Sequence, residues 1–84
     1  MGTNIFKKWI EANPLRKWRK EQGLSMMALA SMVGVGLSTI QTWESGAHLP
    51  KPESFEAMAR VTGKENIEQL WAQWLKQKPT WTPK

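Results

Sequence analysis

The chain contains no cysteine, no tyrosine, no aspartate and only one histidine among its 84 residues. Without cysteine, neither a disulfide nor a thiolate-bound metal can contribute. His48 has no second His, no Cys and no Asp to share a metal with, so no metal site and no cofactor are expected. No Ser, His and acid occur at a spacing with catalytic logic. Glu53 and Glu56 follow Pro52, where carboxylates are favoured by the positive end of a helix rather than paired for proton transfer. No catalytic residue is assigned, and an enzyme is not expected. Gly34-x-Gly36 has Thr39 where a dinucleotide loop would carry its third glycine, and no strand precedes it. No apolar run approaches the roughly 18–20 residues needed to span a bilayer. The opening MGTNIFKKWIEAN carries a Glu and alternates charge with bulk, unlike a secretory leader. Phe6 stands where a myristoylation signal needs Ser or Thr. These absences lead to the expectation of a soluble protein inside the cell, with no membrane partner.

What is present is basic charge, unevenly placed. The net charge is +5. Residues 1–23 hold six basic side chains (Lys7, Lys8, Arg16, Lys17, Arg19, Lys20) against Glu11 and Glu21, whereas the remainder is close to neutral. A basic end suits a polyanion, and DNA is the commonest one. The length allows one small domain with an adequate core.

Helical periodicity accounts for nearly all of the chain, and no stretch alternates convincingly as a strand. Ile5, Phe6, Trp9 and Ile10 form an apolar stripe over residues 4–12, opposite Lys7, Lys8 and Glu11. Asn13-Pro14 ends that helix and starts the next, since Asn caps well and Pro fits a first turn. The helix from Pro14 to about Gln22 buries Leu15, Trp18 and the stem of Arg19. Ser25 can cap a further short helix with Leu29, Met32 and Val33 inward, and Gly34 suits its left-handed end. The helix from Leu37 to Ser45 turns Ile40 and Trp43 inward and stops at Gly46. Its outer face, Leu37, Ser38, Gln41, Thr42 and Ser45, carries hydroxyls, an amide and an apolar group, but no charge. Such a face can enter the major groove, where hydroxyls and amides meet base edges and an apolar group meets the thymine methyl. A helix opening at Pro52 buries Phe55, Met58, Ala59 and Thr62. Asn66 and Gln69 have the spacing of a capping box ahead of the stripe Ile67, Leu70, Trp71, Trp74 and Leu75. About six helices are predicted in all. The tail KPTWTPK has no periodicity and is expected to be extended or disordered unless a partner orders Trp81.

The stretch LRKWRKEQGLSMMALASMVGVGLSTIQTWESGAHLPKPESFEAMARVTG resembles the lambda-repressor-like, Cro-type (XRE-type) helix-turn-helix family. The resemblance rests on an ordered set: Leu15-x-x-x-Arg19, Gly23-Leu24-Ser25, Leu29-Ala30, Gly34-Val35, Ser38-Thr39-Ile40, Trp43-Glu44-x-Gly46, then Pro50 and Ala59. It implies an all-α, lambda-repressor-like DNA-binding domain, a five-helix core with an extra N-terminal helix. The corresponding division is 1–13 as a basic amphipathic helix, 14–77 as the helix-turn-helix domain and 78–84 as the tail. It also implies a structural ion pair between Arg19 and Glu44. Leu37, Ser38, Gln41 and Thr42 stand at or beside base-contacting positions. Arg19, Ser25, Met26, Thr39, Ser45 and Lys51 stand at DNA-backbone positions. Met26 departs from the family, which often has a Gln there; a methionine cannot donate to a phosphate, though the backbone amide can.

The function implied is a sequence-specific regulator of Cro/repressor type, bacterial or from a bacteriophage. It is expected to bind double-stranded DNA as a homodimer on a palindromic operator, in the bacterial nucleoid or in a phage-infected cell. The alternative is a protein-interaction module on the same fold, antitoxin-like or an adaptor. Its features are the apolar Met26, Met27 and Leu37 and a candidate dimer or partner face of Ile67, Leu70, Trp71 and Trp74. Six tryptophans are hard to hide in so small a domain. Either some of Trp9, Trp71, Trp74 and Trp81 pack the N-terminal helix against the last one, or they form an aromatic patch for self-association.

Overall fold

The structure, a computed structural model, describes residues 2–79, with side chains from Ile5 onward. The described residues form six helices and no strand: α1 (Gly2–Glu11), α2 (Pro14–Glu21), α3 (Met26–Val33), α4 (Leu37–Ser45), α5 (Pro52–Thr62) and α6 (Ile67–Lys76). Among the described residues, no single helix is long and apolar enough to cross a membrane. Trp81 lies outside the described residues.

Each boundary has a local chemical cause. Asn13 accepts from the Arg16 amide at 2.9 Å and Pro14 occupies the first turn of α2. Ser25, in an extended conformation, accepts from the Ala28 amide at 3.0 Å to cap α3. Gly34 then takes φ +87°, and its N–H donates to the Ala30 carbonyl as the chain leaves α3. The start of α6 differs from the expected capping box. Asn66 has φ −95° and ψ 20°, and its side chain makes no cap bond. A turn does the work instead, with the Ile67 N–H donating to the Lys64 carbonyl at 3.2 Å.

Every helix contributes to one core: Trp9 from α1, Leu15 from α2, Leu29 and Ala30 from α3, Ile40 and Trp43 from α4, Phe55 and Met58 from α5, and Ile67, Trp71 and Trp74 from α6. Burying each large apolar side chain contributes roughly 1.5–3 kcal/mol. The periodicity of α3 needs one correction. Its inward arc is Met26, Leu29, Ala30 and Val33, while Met32 is half exposed. At 3.6 residues per turn, Met26 falls between Leu29 and Ala30 in projection, and Met32 falls outside that arc.

The tryptophan question is resolved by α1 and α6. Trp9 and Trp74 stack with centroids 4.0 Å apart and planes 3° from parallel. Trp71 meets both Phe55 and Trp74 edge to face. Ile67, Trp71 and Trp74 are therefore at most 3 % exposed, and Leu70 is half-buried. Of the four side chains expected on a dimer or partner face, Ile67, Trp71 and Trp74 are turned into the core instead, and Leu70 alone keeps part of its surface open. Trp18, expected in the core, sits half-buried at its edge.

Candidate nucleic-acid interface

Helices α3 and α4 are joined by Gly34, Val35 and Gly36 and bend by 105° across that break. Val35 plugs the corner, packing against the core, and its N–H donates to the Ala30 carbonyl at 2.9 Å. The tight turn leaves one side of α4 on Ile40 and Trp43 and the other side without protein cover.

On that open side Leu37, Ser38, Gln41 and Ser45 are exposed. Ser38, Gln41 and Ser45 follow each other along one face at intervals of three and four residues. Leu37 lies at the end of the inward arc, in the first turn, where the core has run out, and is 40 % exposed. Thr42 is half-buried, and its hydroxyl donates to the Thr39 carbonyl at 2.9 Å. Ser45 likewise donates to the Thr42 carbonyl at 3.2 Å. Ser38 and Gln41 are the side chains on this face without such a bond among the described residues. Thr39 is half-buried beside them.

The residues expected at the DNA backbone separate into two groups. Ser25 is exposed, and because its oxygen accepts the cap bond, its O–H remains able to donate outward. Lys51 is exposed at the start of α5. Met26 turns its side chain toward the core, so its outward chemistry is limited to the helix-start amide. Met27, the next residue, is 70 % exposed.

Arg19, expected at the DNA backbone as well as in the ion pair, is turned into the interior. It is 4 % exposed and each guanidinium nitrogen donates a bond: Nε to Glu44 Oε2 at 2.8 Å, Nη2 to Glu44 Oε1 at 2.9 Å and Nη1 to the Leu24 carbonyl at 2.9 Å. Glu44, 1 % exposed, has the Arg16 guanidinium 4.0 Å away as a second positive neighbour. This bidentate pair ties the end of α4 to α2, and the fork geometry fixes angle as well as distance. Asn13, fully buried, adds a long 3.5 Å contact from its Nδ2 to the Trp43 carbonyl.

Periodicity alone did not find this polar tie, since an acidic residue beside Trp43 reads as a solvated helix end. The packing of the N-terminal helix on the last one through tryptophans was one of the two expected alternatives, but the place of Gly46 against Trp9 and Trp74 was not foreseen. This junction joins residues up to 65 positions apart, and no local signal encodes that.

A short helix packed at a steep angle on its predecessor, anchored at one end by a buried arginine–glutamate pair, defines a lambda-repressor-like helix-turn-helix domain. The chain belongs to the helix-turn-helix family: that family, described as Helix-turn-helix, matches residues 15–69. A relative described as an uncharacterized HTH-type transcriptional regulator of Methanothermobacter thermautotrophicus is 39 % identical over 57 residues, covering 68 % of this chain and 83 % of the relative. No solved structure matches.

Proposed function

We propose that this protein is a sequence-specific DNA-binding transcriptional regulator of Cro/repressor type that inserts α4 into the major groove. The observation that carries the reading is the uncharged, hydrogen-bonding outer face of α4, held on a helix whose far end is pinned by Arg19 and Glu44. Family membership and the description of the relative as a transcriptional regulator support it.

The mechanism is occupancy rather than chemistry. Gln41 reads a base edge through its amide, Ser38 through its hydroxyl, and Leu37 packs on a thymine methyl. Thr42 contributes by rotating its hydroxyl from the Thr39 carbonyl to a base. Ser25, the Met26 amide, Thr39, Ser45 and Lys51 hold phosphates, which fixes register without carrying sequence information. Lys7, Lys8, Lys17 and Lys20 add the long-range attraction that makes binding salt-dependent. The protein acts in the cytoplasm as a homodimer, whose two α4 helices meet half-sites about one helical turn apart.

Selection from a random duplex library tests this reading. An enriched palindrome is expected, with Ser38→Ala and Gln41→Ala relaxing the preference at single positions by about 1–3 kcal/mol. Lys51→Ala is expected to weaken all sequences alike and to reduce the salt slope by about one. A library that emerges unenriched removes the function. An enriched single half-site removes the dimer and keeps the reading helix.

A further inference from the structure

The reading face lies mainly on the first two turns of α4, and the rest of the molecule takes hold of the helix at its other end. Gly46, the residue after the last turn, sits against the paired indoles of α1 and α6. A Cβ placed there would lie 2.6 Å from Cη2 of Trp9 and 3.2 Å from Cη2 of Trp74. The indoles themselves have little freedom. Trp9 Nε1 donates to the Trp74 carbonyl at 2.7 Å, and Trp74 Nε1 donates to the Trp9 carbonyl at 2.6 Å. These reciprocal bonds cross the stack, so neither ring can slide without breaking one of them. Both tryptophans are at most 6 % exposed, and the Lys78 ammonium lies 5.6 Å from the Trp9 ring centre.

We propose that Trp9 and Trp74 are positioning residues for DNA recognition. Their clasp is a fixed stop behind Gly46 that sets the place of α4 along its own axis, and therefore the register of Leu37, Ser38 and Gln41 against the bases. The inference rests on the DNA-reading function proposed above. Its physical basis is the difference between the restraints on α4. Ile40 and Trp43 hold the helix sideways through apolar contact, which is non-directional. The Arg19–Glu44 fork holds Glu44 from the side of α2, within the helix rather than beyond its end. A rigid aromatic surface against a residue with no side chain defines a distance. Functional side chains must be held within roughly 0.5 Å of a productive geometry, a tolerance that sideways packing alone does not impose along the axis. The same logic gives α1 a purpose. Among the described side chains of α1, Trp9 is the buried hydrophobic one, and it forms half of the stop.

The test uses Trp9→Phe and Trp74→Phe in the full chain, each of which removes one N–H and narrows one ring. Gly46→Ala is the complementary probe, pressing a methyl on the stack while both indoles stay. Val61→Ala on α5, which packs on α2, α3 and α6, is the control for simple loss of core volume. Circular dichroism establishes that each variant is folded at the temperature used. In the free protein, the backbone amide resonances of residues 37–42 are expected to move in the three clasp variants and to stay in place in the control. On DNA, the ratio of affinity for the selected duplex over a scrambled one is expected to fall about tenfold, the scale of one lost base contact, with the salt slope unchanged. A wild-type protein that selects a sequence, with clasp variants that keep its ratio, overturns the positioning role and leaves DNA reading intact. A wild-type protein that selects nothing overturns the function itself. In that case unmoved resonances at residues 37–42 would also dispose of the clasp as a stop for α4.

Discussion

Arg19 and Glu44 meet as a two-pronged pair in the interior, at 2.8 Å and 2.9 Å, with Arg19 held a third time by the Leu24 carbonyl. Both side chains are withdrawn from water, which costs several kcal/mol per ion before any attraction is counted. Each of the three guanidinium nitrogens donates one bond, which offsets part of that cost.

Removing one member should therefore cost more than the pair is worth. Glu44→Ala is expected to destabilise the fold by about 3–5 kcal/mol, because it leaves the Arg19 guanidinium buried without its counter-charge. The double variant Arg19→Met with Glu44→Leu is expected to recover much of that loss. Urea unfolding of the three proteins reads both effects. A Glu44→Ala loss below about 1 kcal/mol would mean that the pair behaves like an exposed surface bridge.

Two glycines with left-handed backbones should respond differently to alanine. At Gly34, φ is +87° and a Cβ would meet nothing within 4 Å, so Gly34→Ala carries only the backbone penalty of about 1–2 kcal/mol. Gly46 has a similar φ of +80°, but its Cβ would strike Trp9. Gly46→Ala is expected to cost clearly more than Gly34→Ala in the same thermal or urea titration. Equal losses would show that the indole stack yields to a methyl group.

The tryptophans of α6 offer a similar contrast. Trp74 donates its N–H to the Trp9 carbonyl, whereas the buried Trp71 Nε1 has no acceptor among the described residues. Phenylalanine at position 74 should lose a hydrogen bond and strand a buried carbonyl, about 1–3 kcal/mol beyond the change in volume. At position 71 it removes a donor that had no partner. Trp71→Phe is expected to be the milder substitution when the two melting curves are compared, and the reverse order would refute this assignment of the bonds.

Helix caps supply a surface prediction. Ser25→Ala removes the acceptor for the Ala28 amide and is expected to cost about 1 kcal/mol. Asn66→Ala, at a helix start where the side chain makes no cap bond, should change stability by only a few tenths of that scale. Amide exchange of the first turns of α3 and α6 distinguishes the two cases site by site.

Much of this architecture was legible in the chain because it is locally encoded. Asn13-Pro14, Ser25, Gly34, Gly46, Pro52 and Gly63 mark helix ends by their own conformational preferences, and the structure places ends beside each of them. The inward apolar positions Ile40 and Trp43 of α4 and Phe55 and Met58 of α5 followed from spacing alone. Errors arose where spacing was ambiguous or the turn was set from outside. Met32 and Met26 are both apolar and compete for one arc in an eight-residue helix. Asn66 has the right partner three residues on, but the Lys64–Ile67 turn occupies the backbone conformation that a cap would need.

The outer face of α4 was the most readable part of the candidate site, since side chains that nothing covers keep the alternation written in the sequence. What covers the other residues was not readable. The periodicity of α6 makes Trp71 and Trp74 an apolar stripe, and a stripe fits an intramolecular core and a partner surface equally well. Only the return of α1 over α6 decides between them, by stacking Trp9 on Trp74.

The sequence by itself determined six helices, the caps at Asn13 and Ser25, the tight turn before α4 and the uncharged face that α4 presents, because these depend on neighbours within about one helical turn. Only the tertiary structure decided how deeply the Arg19–Glu44 pair that the resemblance implied is buried, that the aromatic stripe of α6 is filled from within, and that Gly46 lies against two indoles. Those outcomes depend on contacts between residues 25 to 65 positions apart, whose free energy exists only once the chain has folded.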